Sequence, residues 1–225
     1  MSEKIEVLGV RLDCLSTEEA LERAKGFLRG DALRIIGMVT SGILLATERS
    51  EEYRQQIEQL NLSIIRDREI LEAAGVTMPE RLWEAEDNWF LPAFLEYLGE
   101  EKRSLVLVAE TAADREKLAS ELKETYPQLN LVGSFSFEET AGGDTDALLN
   151  RLNGISADVI LAALPSPQQE NFAYLNRQKL NSRIWIGIGK NGGIQKGMKA
   201  RQKFLERILE KRTFRKRVAE FSEEA

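Results

Sequence analysis

Strand-length apolar runs alternate with helix-length amphipathic stretches along most of this chain, and this alternation limits its fold more than any other feature. Strands are predicted at 33–39, 62–66, 104–109, 129–135, 158–164 and 183–189. Helices are predicted at 16–28, 43–60, within 89–99 after Pro92, at 111–126 and 145–153, and from about Pro167 onwards. Since such alternation is typical of βαβ units, we expect an α/β fold of the Rossmann-like, three-layer α/β/α type, with helices covering both faces of a mostly parallel sheet.

The distribution of charge separates the chain into two parts. The whole chain of 225 residues has a net charge of −6, yet eleven basic residues and only two acidic ones lie between Lys190 and Arg217. We therefore expect a single α/β domain over 1–195 and a basic helical appendage over 196–225. A basic end on an acidic body indicates an anionic partner, which is a phosphate, a lipid headgroup or a nucleic acid.

Two interpretations of the basic end stay open. Lys196–Arg217 has a broken apolar stripe and could lie on an anionic membrane surface, or the helix could pack on the sheet with its charges in water. Nucleic acid is the less favoured partner, because no aromatic or base-reading module accompanies the charge.

The location of the protein is predicted from what its sequence lacks. No apolar run reaches the roughly 20 residues of a membrane span, and the start lacks the build of a signal peptide. We expect a cytoplasmic protein, with peripheral attachment at the inner face of the cell membrane as a further option.

The absence of histidine excludes whole classes of site. The chain has no His and a single Cys, Cys14, so Ser-His-Asp and Cys-His catalysis, His-based metal sites, thiolate zinc clusters and internal disulfides are impossible. Cys14 is interpreted as ordinary packing. No cofactor and no metal are predicted, and any proton transfer must use Asp, Glu, Lys, Tyr or Cys.

Candidate site residues lie where strands end, because ligands of open α/β sheets bind outside the carboxyl ends of the strands. Five loops qualify, and they follow Val39, Ile65, Ala109, Leu164 and Ile188. The loop after Ala109 is a poor phosphate cradle, because it has no glycine and begins with the carboxylate of Glu110.

In the octet IIRDREIL, 64–71, a predicted strand is followed directly by the charged residues Arg66, Asp67 and Arg68. Asp67 could be a general base, with Arg66 and Arg68 holding substrate phosphates. The alternative is that Asp67 caps a helix and that both arginines are solvated.

Three further loops offer polar side chains. Thr40 could bond a phosphate or a sugar hydroxyl, or it could cap the next helix. Gln169 and Glu170 follow two prolines and suit the hydroxyls of a sugar or a base, with helix capping as the alternative. Lys190 lies in a glycine-rich turn and could contact a phosphate. The glycine spacing there does not indicate a dinucleotide site, since no βαβ unit follows it.

The order of these motifs resembles the WecG/TagA/CpsF glycosyltransferase family of bacterial envelope biosynthesis, from about Ile5 to Arg217. The matching segments are IEVLGVRLDCLSTEEALERA, YPQLNLVGSF, PSPQQE and IGIGKNGGIQKGMKAR. Asp67 falls on the presumed catalytic base of that family, and Thr40 falls on the threonine of its T-x-N motif.

The resemblance implies an inverting, metal-independent transfer of N-acetylmannosamine. The donor would be a UDP-sugar, and the acceptor a sugar on undecaprenyl diphosphate in the synthesis of envelope polysaccharide or teichoic acid. In an active transferase Gln169 and Glu170 would position sugar or nucleotide, while Lys190 and Arg201 would stabilise the diphosphate of the leaving group.

The chain departs from the pattern of the family in the loops that follow the predicted strands. Arg66 and Arg68 replace a proline and a glycine, Glu110–Thr111 replaces a glycine pair, Pro165 replaces a glycine and Gly193 replaces an aspartate. A second hypothesis is therefore a catalytically degenerate relative that binds a nucleotide sugar or serves as a protein-interaction scaffold. A nucleic-acid binder is a third, and self-association stays open.

Overall fold

The computed structural model describes residues 4–139 and 145–190. Its strands are β1 Lys4–Val7, β2 Val10–Asp13, β3 Arg34–Val39, β4 Leu62–Ile65, β5 Ser104–Ala109, β6 Asn130–Ser136, β7 Val159–Ala163 and β8 Ile184–Gly187. Its helices are α1 Thr17–Phe27, α2 Ser41–Thr47, α3 Glu51–Glu58, α4 Arg68–Ala73, α5 Pro79–Glu86, α6 Phe90–Glu100, α7 Ala112–Thr125, α8 Thr145–Ile155 and α9 Gln168–Asn176.

A six-stranded sheet with the order β4-β3-β8-β7-β5-β6 forms the middle layer. Every pair of neighbours in it is parallel. All six strands therefore present their carboxyl ends at one edge, where β3, β8 and β7 lie side by side. The predicted α/β class and Rossmann-like three-layer architecture are confirmed.

Helices bury apolar side chains on both faces of the sheet. On one face α1, α6 and α7 pack over strand residues such as Ile36, Leu107 and Ile186. On the other face α8 and α9 pack over residues such as Ile160 and Trp185. Strands that are buried on both faces read as continuous apolar runs, which explains why these strands were recognisable in the sequence.

The N-terminal segment forms a hairpin of two short strands. β1 and β2 pair antiparallel through a turn at Leu8 and Gly9, whose φ angles are 51° and 72°. The hairpin is fastened to β4 because Asp13 accepts hydrogen bonds from the Ser63 N–H at 3.0 Å and the Ser63 hydroxyl at 3.1 Å.

The single helix predicted over 43–60 is wrong, since the chain forms α2 and α3 there. The Ser50 hydroxyl accepts a hydrogen bond from the Tyr53 N–H at 3.2 Å and starts the second helix. Serine stabilises a new helix start better than a helix interior, so the apolar periodicity continued across a real break. Helix α5 was not predicted from the sequence, and α4 was foreseen only in the alternative that Asp67 caps a helix.

Helix α6 begins before Pro92 rather than after it. It starts at Phe90, so that Pro92 lies in the first turn. The backbone N–H groups of that turn have no partner within a helix, and a proline there costs no hydrogen bond.

The predicted basic C-terminal helix, the appendage at 196–225 and Arg201 lie outside the described residues. Within residues 4–139 and 145–190, no helix has the length and apolarity that crossing a bilayer requires.

Candidate active site

A cleft of about 550 Å³ opens at the carboxyl ends of β3, β7 and β8. Its walls come from the turn that leads into α2, from α3 and from the start of α9. Six of the lining residues carry the chemistry described below: Met38, Thr40, Tyr53, Ser166, Gln169 and Gly189. The position is the one expected for the ligand site of an open parallel sheet.

Gln169 forms the buried floor of this cleft, with 1 % of its surface exposed. Its Oε1 accepts a hydrogen bond from the Gly189 N–H at 3.1 Å, and its Nε2 donates to Glu170 Oε1 at 2.8 Å. The side chain lies directly against Gly187, where an added Cβ would be 2.9 Å from Gln169 Cδ. A glycine in β8 is therefore required for the amide to reach its partners.

Glu170 is 6 % exposed and belongs to the same polar cluster. Its Oε1 also accepts a hydrogen bond from the Ser166 hydroxyl at 2.9 Å, while its Oε2 is buried without a partner. Burial raises the pKa of Glu170, and the hydrogen bonds from Gln169 and Ser166 oppose that shift. Burial therefore shifts this carboxyl toward its protonated form relative to a carboxyl in water.

Tyr53 approaches this cluster from α3. Its hydroxyl oxygen is buried without a partner. Burial raises the pKa of Tyr53, and the nearby charge of Glu170 raises it further. Tyr53 is thus a neutral hydroxyl beside a buried acid.

Thr40 and Asp67 lie on neighbouring strand ends and organise the turn before α2. The Thr40 hydroxyl accepts from the Ile43 N–H at 3.3 Å, so Thr40 caps α2. Asp67 Oδ2 accepts from the Ser41 N–H at 2.6 Å, across the gap between β4 and β3. Asp67 is also the N-cap residue of α4, but its side chain makes no capping bond there. The structure therefore brings the carboxylate of Asp67 to the turn that lines the cleft.

The two arginines beside Asp67 diverge. Arg68 turns away from the cleft and pairs with Glu72 at 2.7 Å and with Glu86 at 3.6 Å. Arg66 turns toward β3, where its Nη1 lies 3.5 Å from Met38 Sδ. Within the described part of the chain neither arginine forms an ion pair with Asp67.

The environment of Arg66 is unusual for a cation. Its Nε is buried without a hydrogen-bond partner. Burial lowers the pKa of Arg66, and the charge of Asp67 opposes that shift. The guanidinium therefore lies near the carboxylate without bonding it.

Lys190 is engaged on a different part of the rim. Its Nζ forms an ion pair with Glu110, which follows β5. This hydrogen-bonded pair raises the pKa of Lys190. The ion pair therefore holds the ammonium group of Lys190 beside the end of β5.

The part of the chain that the structure describes contains no cluster of side chains suited to bind a metal ion. No group of three or more acidic or sulfur side chains within residues 4–139 and 145–190 could hold an ion.

Met38, Tyr53 and Ser166 were not among the candidate residues predicted from the sequence. Ser166 had a signal, because it stands between two prolines immediately before the Gln-Glu pair. Met38 and Tyr53 read as ordinary core positions, and only the fold shows that they border the cleft.

The comparison with known families matches most of the chain. The model of the glycosyl transferase WecG/TagA/CpsF family covers residues 5–201. That range includes every candidate side chain named above. A search of curated proteins found no match.

Proposed function

The chain belongs to the WecG/TagA/CpsF glycosyltransferase family, and on that basis we propose that it transfers an N-acetylhexosamine of the N-acetylmannosamine type from a UDP-sugar. The acceptor is a sugar linked to undecaprenyl diphosphate, and the product serves the synthesis of envelope polysaccharide or teichoic acid. The transfer inverts the anomeric centre and needs no metal.

One observation carries this proposal. The carboxylate of Asp67 bonds the Ser41 N–H, in the turn whose residues Thr40 and Gly42 line the cleft. Neither flanking arginine pairs with it, because Arg68 pairs with Glu72 and Arg66 contacts Met38. A general base must keep a free oxygen within reach of the proton that it removes. The Ser41 N–H bonds only Oδ2 of Asp67 and fixes the orientation of the carboxylate.

The reaction follows from this position. Asp67 accepts the proton of the attacking acceptor hydroxyl. That oxygen forms a bond to the anomeric carbon of the donor while the bond to the diphosphate oxygen breaks. UDP leaves with the electron pair, and cationic side chains stabilise the charge that develops on it. Lys190, Arg201 and Arg66 are the candidates for this role, whereas the guanidinium of Arg68 is held by Glu72 and Glu86.

Binding of the nucleotide sugar is assigned to the polar cluster of the cleft. Gln169, Glu170 and Tyr53 combine donors and acceptors in a buried setting, which suits the hydroxyl and amide groups of a sugar or a base. Thr40 also lines the cleft, where its hydroxyl can contact the ligand while it caps α2.

A second candidate function is a catalytically degenerate scaffold that binds a nucleotide sugar or another protein. The ion pair between Lys190 and Glu110 favours it. Glu110 stands where the family has a glycine, so the pair places a carboxylate at the rim and occupies a cation that a diphosphate would use.

Titration of UDP into the protein by calorimetry, followed by assay of UDP release from a UDP-N-acetylhexosamine, separates the two functions. A transferase binds UDP, and it produces free UDP from the UDP-sugar only when the lipid-linked acceptor is present. A scaffold for nucleotide sugars binds UDP without release. If titration to ~1 mM UDP gives no heat of binding, the transferase function is contradicted and a protein-interaction scaffold remains.

The site of action is proposed to be the cytoplasmic face of the membrane. Lys196–Arg217, outside the described residues, would contact anionic lipids there. Flotation with vesicles that contain or lack anionic lipid tests this proposal, and equal recovery with both kinds of vesicle contradicts it.

A further inference from the structure

Arg66 differs from the other partly buried arginines of the described chain in having no carboxylate partner. Arg23 pairs with Asp13 at 2.9 Å, and Arg81 pairs with Glu84 at 2.6 Å. Arg103 and Arg183 share Asp158 at 3.5 and 3.4 Å. Arg66 has only the sulfur of Met38 against Nη1, and its Nε is buried without a partner. The fold thus supplies a directly paired carboxylate for each of these guanidinium groups except this one.

The backbone holds Arg66 beside the end of β3. Its N–H donates to the Val39 carbonyl at 2.9 Å, which continues the pairing of β4 with β3 for one residue beyond the strands. The guanidinium contacts Met38, and Met38 lines the cleft. Arg66 therefore contacts a residue of the cleft lining and directly precedes Asp67 in the chain.

A guanidinium in this setting is poorly compensated. Removing a cation from water without a counter-ion is costly, and the cost is recovered when an anion binds. The planar fork of an arginine fits the oxygens of a phosphate in a bidentate manner, which a lysine cannot do. A hydrophobic substrate group is excluded, because it would leave the charge buried and unpaired.

We infer that Arg66 is the anion-binding residue of the cleft and that its ligand is a diphosphate held beside Asp67. Arg68 has no part in this site, because Glu72 and Glu86 already occupy its guanidinium. The identity of the substrate rests on the proposed function, in which both the UDP donor and the lipid-linked acceptor carry a diphosphate. The binding of a diphosphate by Arg66 can be tested without either substrate.

The first measurement titrates inorganic pyrophosphate into wild type, Arg66→Met, Arg66→Lys and the matched control Arg68→Met. Arg66→Met should weaken pyrophosphate binding at least about tenfold, while Arg68→Met leaves it unchanged. Arg66→Lys should keep part of the affinity, since it keeps the charge and loses the fork.

The thermal stability of the same variants distinguishes binding from a structural role. An arginine that the fold needs would lower the melting temperature when it is replaced. We expect Arg66→Met to melt at or above the temperature of wild type, because it removes an uncompensated charge. A lower melting temperature together with unchanged pyrophosphate binding overturns the inference.

Two further measurements, of UDP affinity and of the KM for the acceptor, identify which substrate supplies the diphosphate. Weaker binding of UDP to Arg66→Met, with uridine binding unchanged, assigns Arg66 to the donor. An unchanged affinity for UDP together with a higher KM for the lipid-diphosphate acceptor assigns it to the acceptor. If wild type and Arg66→Met bind pyrophosphate and UDP equally and share the same KM, the inference fails while the proposed function stands. If pyrophosphate binding requires Arg66 but UDP does not bind, the proposed function fails while the anion site stands.

Discussion

Replacement of Gly187 by alanine should disturb the floor of the cleft from beneath. The added Cβ would lie 2.9 Å from Cδ, 3.0 Å from Oε1 and 3.1 Å from Nε2 of Gln169. All three distances are shorter than ordinary van der Waals contact. The amide is buried and hydrogen-bonded at both ends, so it cannot move aside without losing partners.

The cost of Gly187→Ala can be estimated from those contacts. Overpacking in a core costs about 1–3 kcal/mol, and each net hydrogen bond lost from the amide of Gln169 costs about 1 kcal/mol. We expect the free energy of unfolding to fall by about 2–4 kcal/mol in total. The affinity for UDP should fall as well, because Gln169 shifts.

Urea denaturation of wild type and Gly187→Ala measures this loss. Gly154→Ala is the matched control, since Gly154 lies inside α8 and an added Cβ there meets nothing within 4 Å. The control should be more stable than wild type by up to about 1 kcal/mol. If Gly187→Ala unfolds at the same urea concentration as wild type and binds UDP equally well, the packing argument is refuted.

Three other substitutions test separate parts of the structure. Asp13→Ala should lower the free energy of unfolding by about 2–4 kcal/mol, because it removes the acceptor of Ser63 and the partner of Arg23; a loss near zero in urea denaturation would mean that the hairpin is not fastened to β4 this way. Ser50→Ala should cost about 1 kcal/mol, since it removes the cap of α3, and an unchanged unfolding midpoint would contradict a separate helix there. Burial raises the pKa of Glu170 above its ordinary value of 4.5, so ionisation favours the unfolded chain as the pH rises from 4.5 through the folded pKa. The free energy of unfolding of Glu170→Gln minus that of wild type should therefore increase with pH in that range, and a difference independent of pH would mean that Glu170 is not buried as an acid.

The parts of the fold that local sequence controls were predictable. The capping box of Ser16 and Glu19 and the cap at Thr111 rest on residue types and spacings that the sequence itself displays. The six buried strands were found because the sheet is covered on both faces, which makes their apolar runs continuous. The break at Ser50 was not found, because one capping hydroxyl competes with a helical periodicity that continues on both sides of it.

The candidate site was predictable at the level of loops but not of contacts. The rule that ligands bind at the carboxyl ends of parallel strands led to Thr40, Asp67 and Gln169, and the structure places all three at the same edge of the sheet. The difference between Arg66 and Arg68 could not be predicted, because both flank Asp67. Their neighbours in the folded chain determine the difference. Arg68 pairs with Glu72 and Glu86, whereas Arg66 contacts Met38.

The central claim is that Asp67 removes the proton of the acceptor hydroxyl during glycosyl transfer. The most direct test is the kcat for UDP release from a UDP-N-acetylhexosamine and a lipid-diphosphate acceptor, measured for wild type and Asp67→Asn. Asparagine keeps an oxygen for the Ser41 N–H and removes only the basicity, and Glu69→Gln, an exposed position on the same helix, is the matched control. The proposed mechanism predicts that Asp67→Asn lowers kcat by about 100-fold or more with UDP affinity retained, while Glu69→Gln behaves as wild type. An Asp67→Asn variant that turns over at the rate of wild type would contradict the claim.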